Sequence, residues 1–185
     1  VNWWEAIRYC NYRSIRENLV PCYDLESGFC DERVNGYRLP TDAEWAHAAG
    51  PIPLLPSQKV DGSDRVIPAS ASALSVSTSS SVHDWANLGR SDTKNIGHLL
   101  HELKVSGTKP AGTYPPNQYG LYDMYGNVWE WCNDFFDPVP TPGRSYDPPG
   151  PARGLERVIR GGSFISTISR WATDWQAKLP LYYRS

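Results

Sequence analysis

The sequence predicts a single loop-rich domain, α+β or mostly β, and three observations carry that prediction. Sixteen Pro and fifteen Gly punctuate the 185 residues and leave few long periodic runs, the pattern of short elements joined by many turns. Eight Trp and eleven Tyr supplement an apolar content of only 40%, because each ring removes a large area from water and one core can then be filled. Two segments carry the side chains that start helices. A net charge of −2 gives no electrostatic case for nucleic acid or an anionic membrane surface. No apolar run approaches the length that crosses a bilayer.

In chain order, residues 2–14 read as an amphipathic helix: Trp3, Ala6, Ile7 and Cys10 recur at helical spacing behind Asn2 as N-cap. Residues 18–35 read as irregular, broken by Pro21 and Gly28. Thr41 followed by Glu44 is a capping box, Trp45, Ala48 and Ala49 supply an apolar face, and Gly50 is a stop signal. Residues 51–83 read as a flexible insertion, Pro-rich at first and then Ser/Ala-rich. The stretch from Gly120 to Trp131 concentrates two Trp, two Tyr, Leu, Met and Val beside Asp123, Asn127 and Glu130. It reads as a centre of packing with an oxygen-rich corner suited to a cation. Residues 157–160 form a short strand candidate, followed by the turn Gly161-Gly162-Ser163-Phe164. The tail behind it has no clean period.

Cys10, Cys22, Cys30 and Cys132 are compatible with two disulfides or four buried thiols, the latter being the simpler reading. The absence of a CxxC pair argues against structural zinc.

The order of four motifs carries a resemblance. Val1-Asn2-Trp3 through Cys10-Asn11, Gly36 through Trp45 (GYRLPTDAEW), Gly120 through Trp131 and Arg160-Gly161-Gly162-Ser163-Phe164 resemble the formylglycine-generating enzyme (sulfatase-modifying factor) family. The resemblance implies an α+β fold, the family's variant of the C-type lectin fold, with little regular secondary structure. It also implies a shortened copy, since the family domain extends past both ends of residues 1–185. Family enzymes that make formylglycine place cysteines two and seven residues beyond the aromatic of the Gly-Gly-Ser-aromatic turn. Ser166 and Trp171 stand there, and no cysteine follows Cys132. Without thiolates there is neither a soft copper(I) site nor a redox partner for a substrate cysteine, so no catalytic residue and no required cofactor is expected. A sulfoxide-forming branch carries an iron-binding helical domain that has no counterpart here, and His47, His83, His98 and His101 show no iron-ligand spacing. Calcium is the ion the resemblance leaves open. One family site maps onto Asp123, Gly126, Val128 and Glu130, two carboxylates and two carbonyls that form a hard-oxygen set. A second family site has Leu103 in place of an aspartate and is expected to be lost.

The tail is most similar to that of another group with this fold, the variable proteins of diversity-generating retroelements. In these, template Asn codons become Ile, Ser or Thr by one change at the second base. Here Ile165-Ser166-Thr167-Ile168-Ser169 is drawn wholly from that set, and Arg170, Trp171, Asp174, Trp175, Tyr182, Tyr183 and Arg184 follow. Rigid aromatics and Arg are typical anchors of binding faces. The same five residues also suit a plain β-strand, and the aromatics a core. These readings combine into a non-catalytic ligand-binding protein whose tail, residues 164–185, displays a retroelement-diversified surface. Its partner would be a protein or another macromolecule, and exposure at a cell or virion surface is favoured. The competing expectations are a family enzyme of altered chemistry and an accessory module of a larger chain.

Overall fold

Asn2 starts the first helix as the sequence predicts. Its Oδ1 accepts the Glu5 N–H at 2.8 Å while Glu5 Oε2 accepts the Asn2 N–H at 2.9 Å, so two donors left over at the helix start are satisfied reciprocally. Helix α1 runs Trp3–Arg16 and buries Trp3, Ile7, Cys10, Asn11 and Ser14 along one face. The computed structural model describes residues 1–50, 86–88, 107–137, 150–166, 177–181 and 183. The chain divides into two compact units. The first comprises Val1–His47, Trp129–Arg160 and Gln176–Ser185; the second comprises Ala48–Val128 and Gly161–Trp175.

In the first unit, helix α2 (Asp42–Ala49) starts at the predicted box. Thr41 Oγ1 accepts the Glu44 N–H at 3.1 Å and Glu44 Oε2 accepts the Thr41 N–H at 2.8 Å. Arg38 also clamps Glu44 with two bonds of 2.6 Å. Chiefly through that guanidinium, the Glu44 carboxyl is held down at about 2. Three antiparallel strands follow, β1 (Glu130–Phe135), β2 (Glu156–Arg160) and β3 (Ala177–Pro180), in the order β1-β2-β3. Glu130 pairs with Arg160 and Trp131 with Ile159, the register shifts before Phe135 pairs with Arg157, and Ile159 pairs with Ala177. Strand β2 contains the predicted 157–160. Strand β1 starts inside the aromatic stretch, where the sequence reading had a packing centre and no strand.

The core of this unit gathers Trp3, Ile7, Cys10, Cys22 and Tyr23, with Leu39, Trp131 and Leu181 against it. At its edge the Arg157 guanidinium lies 4.0 Å from the Trp3 ring and 3.5 Å from that of Phe135. Arg157 is buried, donates from Nη1 to the Asn133 carbonyl, and leaves Nε without a partner. Desolvation pushes its pKa down to about 10. The two π faces offset part of that desolvation. Arg160, also buried, forks onto Asp42 at 2.5 and 2.9 Å and so ties α2 to the sheet. The four cysteines are free thiols, three buried and Cys30 partly so.

In the second unit, Gly50 adopts φ 69° behind α2, the left-handed residue that closes a helix. Asn117 Nδ2 donates to the Ala48 and Ala49 carbonyls at 2.7 and 3.2 Å, and the Tyr125 hydroxyl donates to the Gly50 carbonyl at 2.7 Å. These bonds satisfy carbonyls that the helix end leaves over. Tyr125 is buried, whereas Leu121, Tyr122 and Val128 are exposed. The expectation that the whole aromatic stretch is a packing centre is thus corrected. Gly120 and Asp123, both at positive φ, turn the backbone and leave the residues between them on the surface. The predicted insertion at 51–83 lies outside the described residues. Among the described residues, no helix is long and apolar enough to cross a membrane.

Candidate functional site

The candidate site is the tail, and its root is built by two glycines and an asparagine. Gly161 and Gly162 take φ 86° and 77°, conformations that cost an L side chain energy and glycine none. The turn they make is held at both ends: the Gly126 N–H donates to the Gly161 carbonyl at 2.7 Å, and the Phe164 N–H to the Asn127 carbonyl at 3.0 Å. Within the turn, the Ser166 N–H donates to the Ser163 carbonyl at 2.8 Å, and the Ser163 N–H to Ser166 Oγ at 2.9 Å.

Asn127 is the hub of this unit. It is buried at φ 62°, a conformation asparagine tolerates better than most residues. Its N–H donates to the Asn87 carbonyl at 2.9 Å. Its Oδ1 accepts the Lys109 N–H at 2.8 Å and Asn87 Nδ2 at 3.3 Å, while its Nδ2 donates to the Lys109 carbonyl at 3.2 Å. One neutral side chain therefore joins residues 87 and 109, while its own backbone holds the turn at 164. A Cβ on Gly126 would overlap the Asn87 carbonyl, so this approach requires glycine. The Gly126-Asn127 pair was the available signal for the hub; Asn87 and Lys109 carry none on their own.

Of the sequence-predicted tail residues, Ile165 is exposed at 43% and Ser166 is buried with its hydroxyl turned back to the Ser163 N–H. The bond from Phe164 to Asn127 sets Ile165 and Val128, 49% exposed, beside the same backbone junction. Tyr183 is half exposed, and its N–H donates to the Pro180 carbonyl at 2.9 Å. Thr167, Ile168, Ser169, Arg170, Trp171, Asp174, Trp175, Tyr182 and Arg184 lie outside the described residues.

The calcium candidates are divided between the units. In the second, Asp123 has φ 57° and its Oδ2 accepts the Gly112 N–H at 2.8 Å; Gly126 and Val128 follow it. In the first, Glu130 Oε2 accepts the Trp45 indole N–H at 2.6 Å. Among the described residues no three His, Cys, Asp or Glu side chains gather to hold a metal.

Comparison with known proteins accounts for this architecture. The sulfatase-modifying factor enzyme 1-like domain matches residues 1–181. The chain is 30% identical over 196 residues to the chaperone protein LppX of Paenibacillus barcinonensis, covering 96% of this chain and 62% of that protein. To the formylglycine-generating enzyme of Streptomyces coelicolor it is 35% identical over 136 residues, 70% of this chain and 37% of the enzyme. It therefore spans 62% of the length of the first relative and 37% of the second. Among solved structures, Treponema denticola variable protein 1 superposes with a TM-score of 0.68 at 30% identity, covering all of this chain and 66% of that one. CarF, with a TM-score of 0.59 at 24% identity, speaks for the fold alone. Matched along nearly its whole length, and resembling a variable protein in structure, the chain belongs to the sulfatase-modifying factor (formylglycine-generating enzyme) family, on that family's α+β variant of the C-type lectin fold.

Proposed function

We propose that this protein is a non-catalytic ligand-binding protein whose C-terminal tail, diversified by a retroelement, displays a variable binding surface. The observation that carries the reading is the likeness to Treponema denticola variable protein 1 over the whole chain. The cysteine-free tail and its Ile/Ser/Thr-then-aromatic composition support it. So does the anchored turn, because a root tied down by backbone bonds leaves the side chains beyond it free to change. The partner is a protein or another macromolecule, engaged by Ile165 and by the aromatic and Arg positions through Arg184. A display library randomised at Ile165, Thr167 to Trp171, Asp174, Trp175 and Tyr182 to Arg184 tests this. Most members should fold, and selection against an arbitrary protein should return binders; a library that mostly fails to fold contradicts the reading.

A second reading, an enzyme of altered chemistry, is favoured by the likeness to formylglycine-generating enzymes. Turnover of a cysteine-containing peptide by the purified, copper-loaded protein would establish it.

For the metal, we infer calcium at the family ligand positions of the second unit, Asp123, Gly126 and Val128. The donors are all hard oxygens, and a carboxylate such as Asp123 that accepts one N–H keeps further lone pairs for a cation. A rise in melting temperature on adding calcium, reversed by chelator and absent in Asp123→Asn, is expected. Identical melting with calcium and with chelator removes the ion.

A further inference from the structure

Three of the four cysteines meet in one place. Cys10 and Cys22 are buried members of the cluster around Trp3, Ile7 and Tyr23, and Cys30 packs against it. Their neighbours set the approach of Cys10 to Cys22. Asn11 Nδ2 donates to the Tyr23 carbonyl at 2.7 Å, and the Tyr23 N–H donates to Asn11 Oδ1 at 3.1 Å. This reciprocal pair clamps the residue after Cys10 to the residue after Cys22. Cys30 arrives differently, as the antiparallel bridge partner of Tyr23, with the Asp24 to Phe29 and Asp31 to Cys22 backbone bonds on either side. Cys22 has both Cys10 and Cys30 as charge neighbours, and what singles out Cys10 is the Asn11–Tyr23 clamp, which fixes the two backbones next to Cys10 and Cys22.

We propose that Cys10 and Cys22 are a dithiol that closes into an intrachain disulfide, stapling α1 to the segment that follows it. The oxidant is a small-molecule disulfide such as oxidised glutathione. Cys10, the less buried of the two at 9% against 3%, loses its proton to solvent and attacks one glutathione sulfur; that S–S bond breaks and one glutathione thiolate leaves. Cys22 then loses its proton to solvent and its thiolate attacks Cys10 in the mixed disulfide. The protein S–S bond forms as the bond to glutathione breaks, and the two released glutathione thiolates take up protons from solvent. Two protein thiols are oxidised and one small disulfide is reduced to two thiols. Burial first, and charge on Cys22 second, push the Cys10 thiol up. The closure should therefore speed up about tenfold per pH unit while the thiolate is the minor form.

The test is incubation of the full chain with oxidised glutathione at mildly alkaline pH, followed by digestion and mass spectrometry. A peptide cross-linked through Cys10 and Cys22 is expected, retained in Cys30→Ser and lost in Cys10→Ser and Cys22→Ser. A Cys22–Cys30 cross-link, loss of the product in Cys30→Ser, or a wild-type chain whose cysteines stay unlinked overturns the proposal. Because the cross-link map of the wild type decides the pairing, the outcome stands even where a Ser variant fails to fold.

Discussion

The two units solve the same problem, holding a chain with little regular structure, by different chemistry. The first is built on apolar burial and charge: Trp3 and Ile7 are fully buried, Arg157 is stacked between aromatic rings, and Arg160 and Arg38 fork onto carboxylates. Among its described residues the second relies on neutral amide side chains, with Asn127 bonding the Lys109 backbone and Asn117 the last carbonyls of helix α2. The difference bears on function. The turn at the root of the tail is held by backbone-to-backbone bonds from Gly126 to Gly161 and from Phe164 to Asn127, which do not depend on the tail's own side chains, so the turn is suited to side-chain replacement beyond it.

The largest expected effect breaks the first unit. Trp3→Ala removes a ring that stacks on Arg157, meets Trp4 and Tyr23 edge-on and donates to the Cys132 carbonyl at 3.1 Å. A loss of about 3–5 kcal/mol is expected by chemical denaturation. In the second unit, Asn127→Ala strands the Lys109 N–H and carbonyl and leaves Asn87 Nδ2 with the Gly107 carbonyl, and should cost about 2–3 kcal/mol. That penalty should not change with pH, since no partner titrates.

Among the described residues, acid sensitivity is expected at the Arg38–Glu44 clamp of the first unit. The folded state lowers the Glu44 pKa from 4.5 to about 2, so its contribution is present above the unfolded value and is lost as pH falls from 4.5 towards about 2. Glu44 is partly exposed, so the effect is small. Stability measured against pH should fall across this window in the wild type and fall less in Glu44→Gln; parallel curves would remove the Arg38–Glu44 clamp from the account.

The smallest effects separate the tail residues themselves. Ser166→Ala loses the bond to the Ser163 N–H and should cost about 1 kcal/mol. Ile165→Ser, at an exposed position, should stay within about 0.5 kcal/mol of wild type. Equal penalties at the two positions would mean that the turn does not distinguish display from support.

Much of the first unit was legible because its signals are local. Asn2 as an N-cap, and Thr41 with Glu44 as a capping box, are helix starts that need no tertiary context, and the Glu5 side chain that completes the first box was not read. The short run 157–160 read as a strand because Val158 and Ile159 are β-branched. Strand β1 was hidden because its residues, Glu-Trp-Cys-Asn-Asp-Phe, neither alternate cleanly nor favour strands, and pairing with β2 decides them. The Arg157 sandwich has no sequence signal either, since Trp3 and Phe135 lie far from it in the chain. At the candidate site, the Gly-Gly-Ser-Phe turn was readable, whereas the surface position of Leu121 and Tyr122 depends on the positive φ of Gly120 and Asp123, which composition does not fix. The motif order identified the family where periodicity did not.

The central claim is that the tail varies while its root does not, and the most direct measurement is deep sequencing of the gene across its source population. The account predicts substitutions concentrated in codons 165–184, confined to positions where a template copy carries adenine. Gly126, Asn127 and Gly161 to Ser163 should be invariant. A fixed tail, or changes spread evenly along the gene, would contradict it and leave the family enzyme of altered chemistry as the reading to pursue.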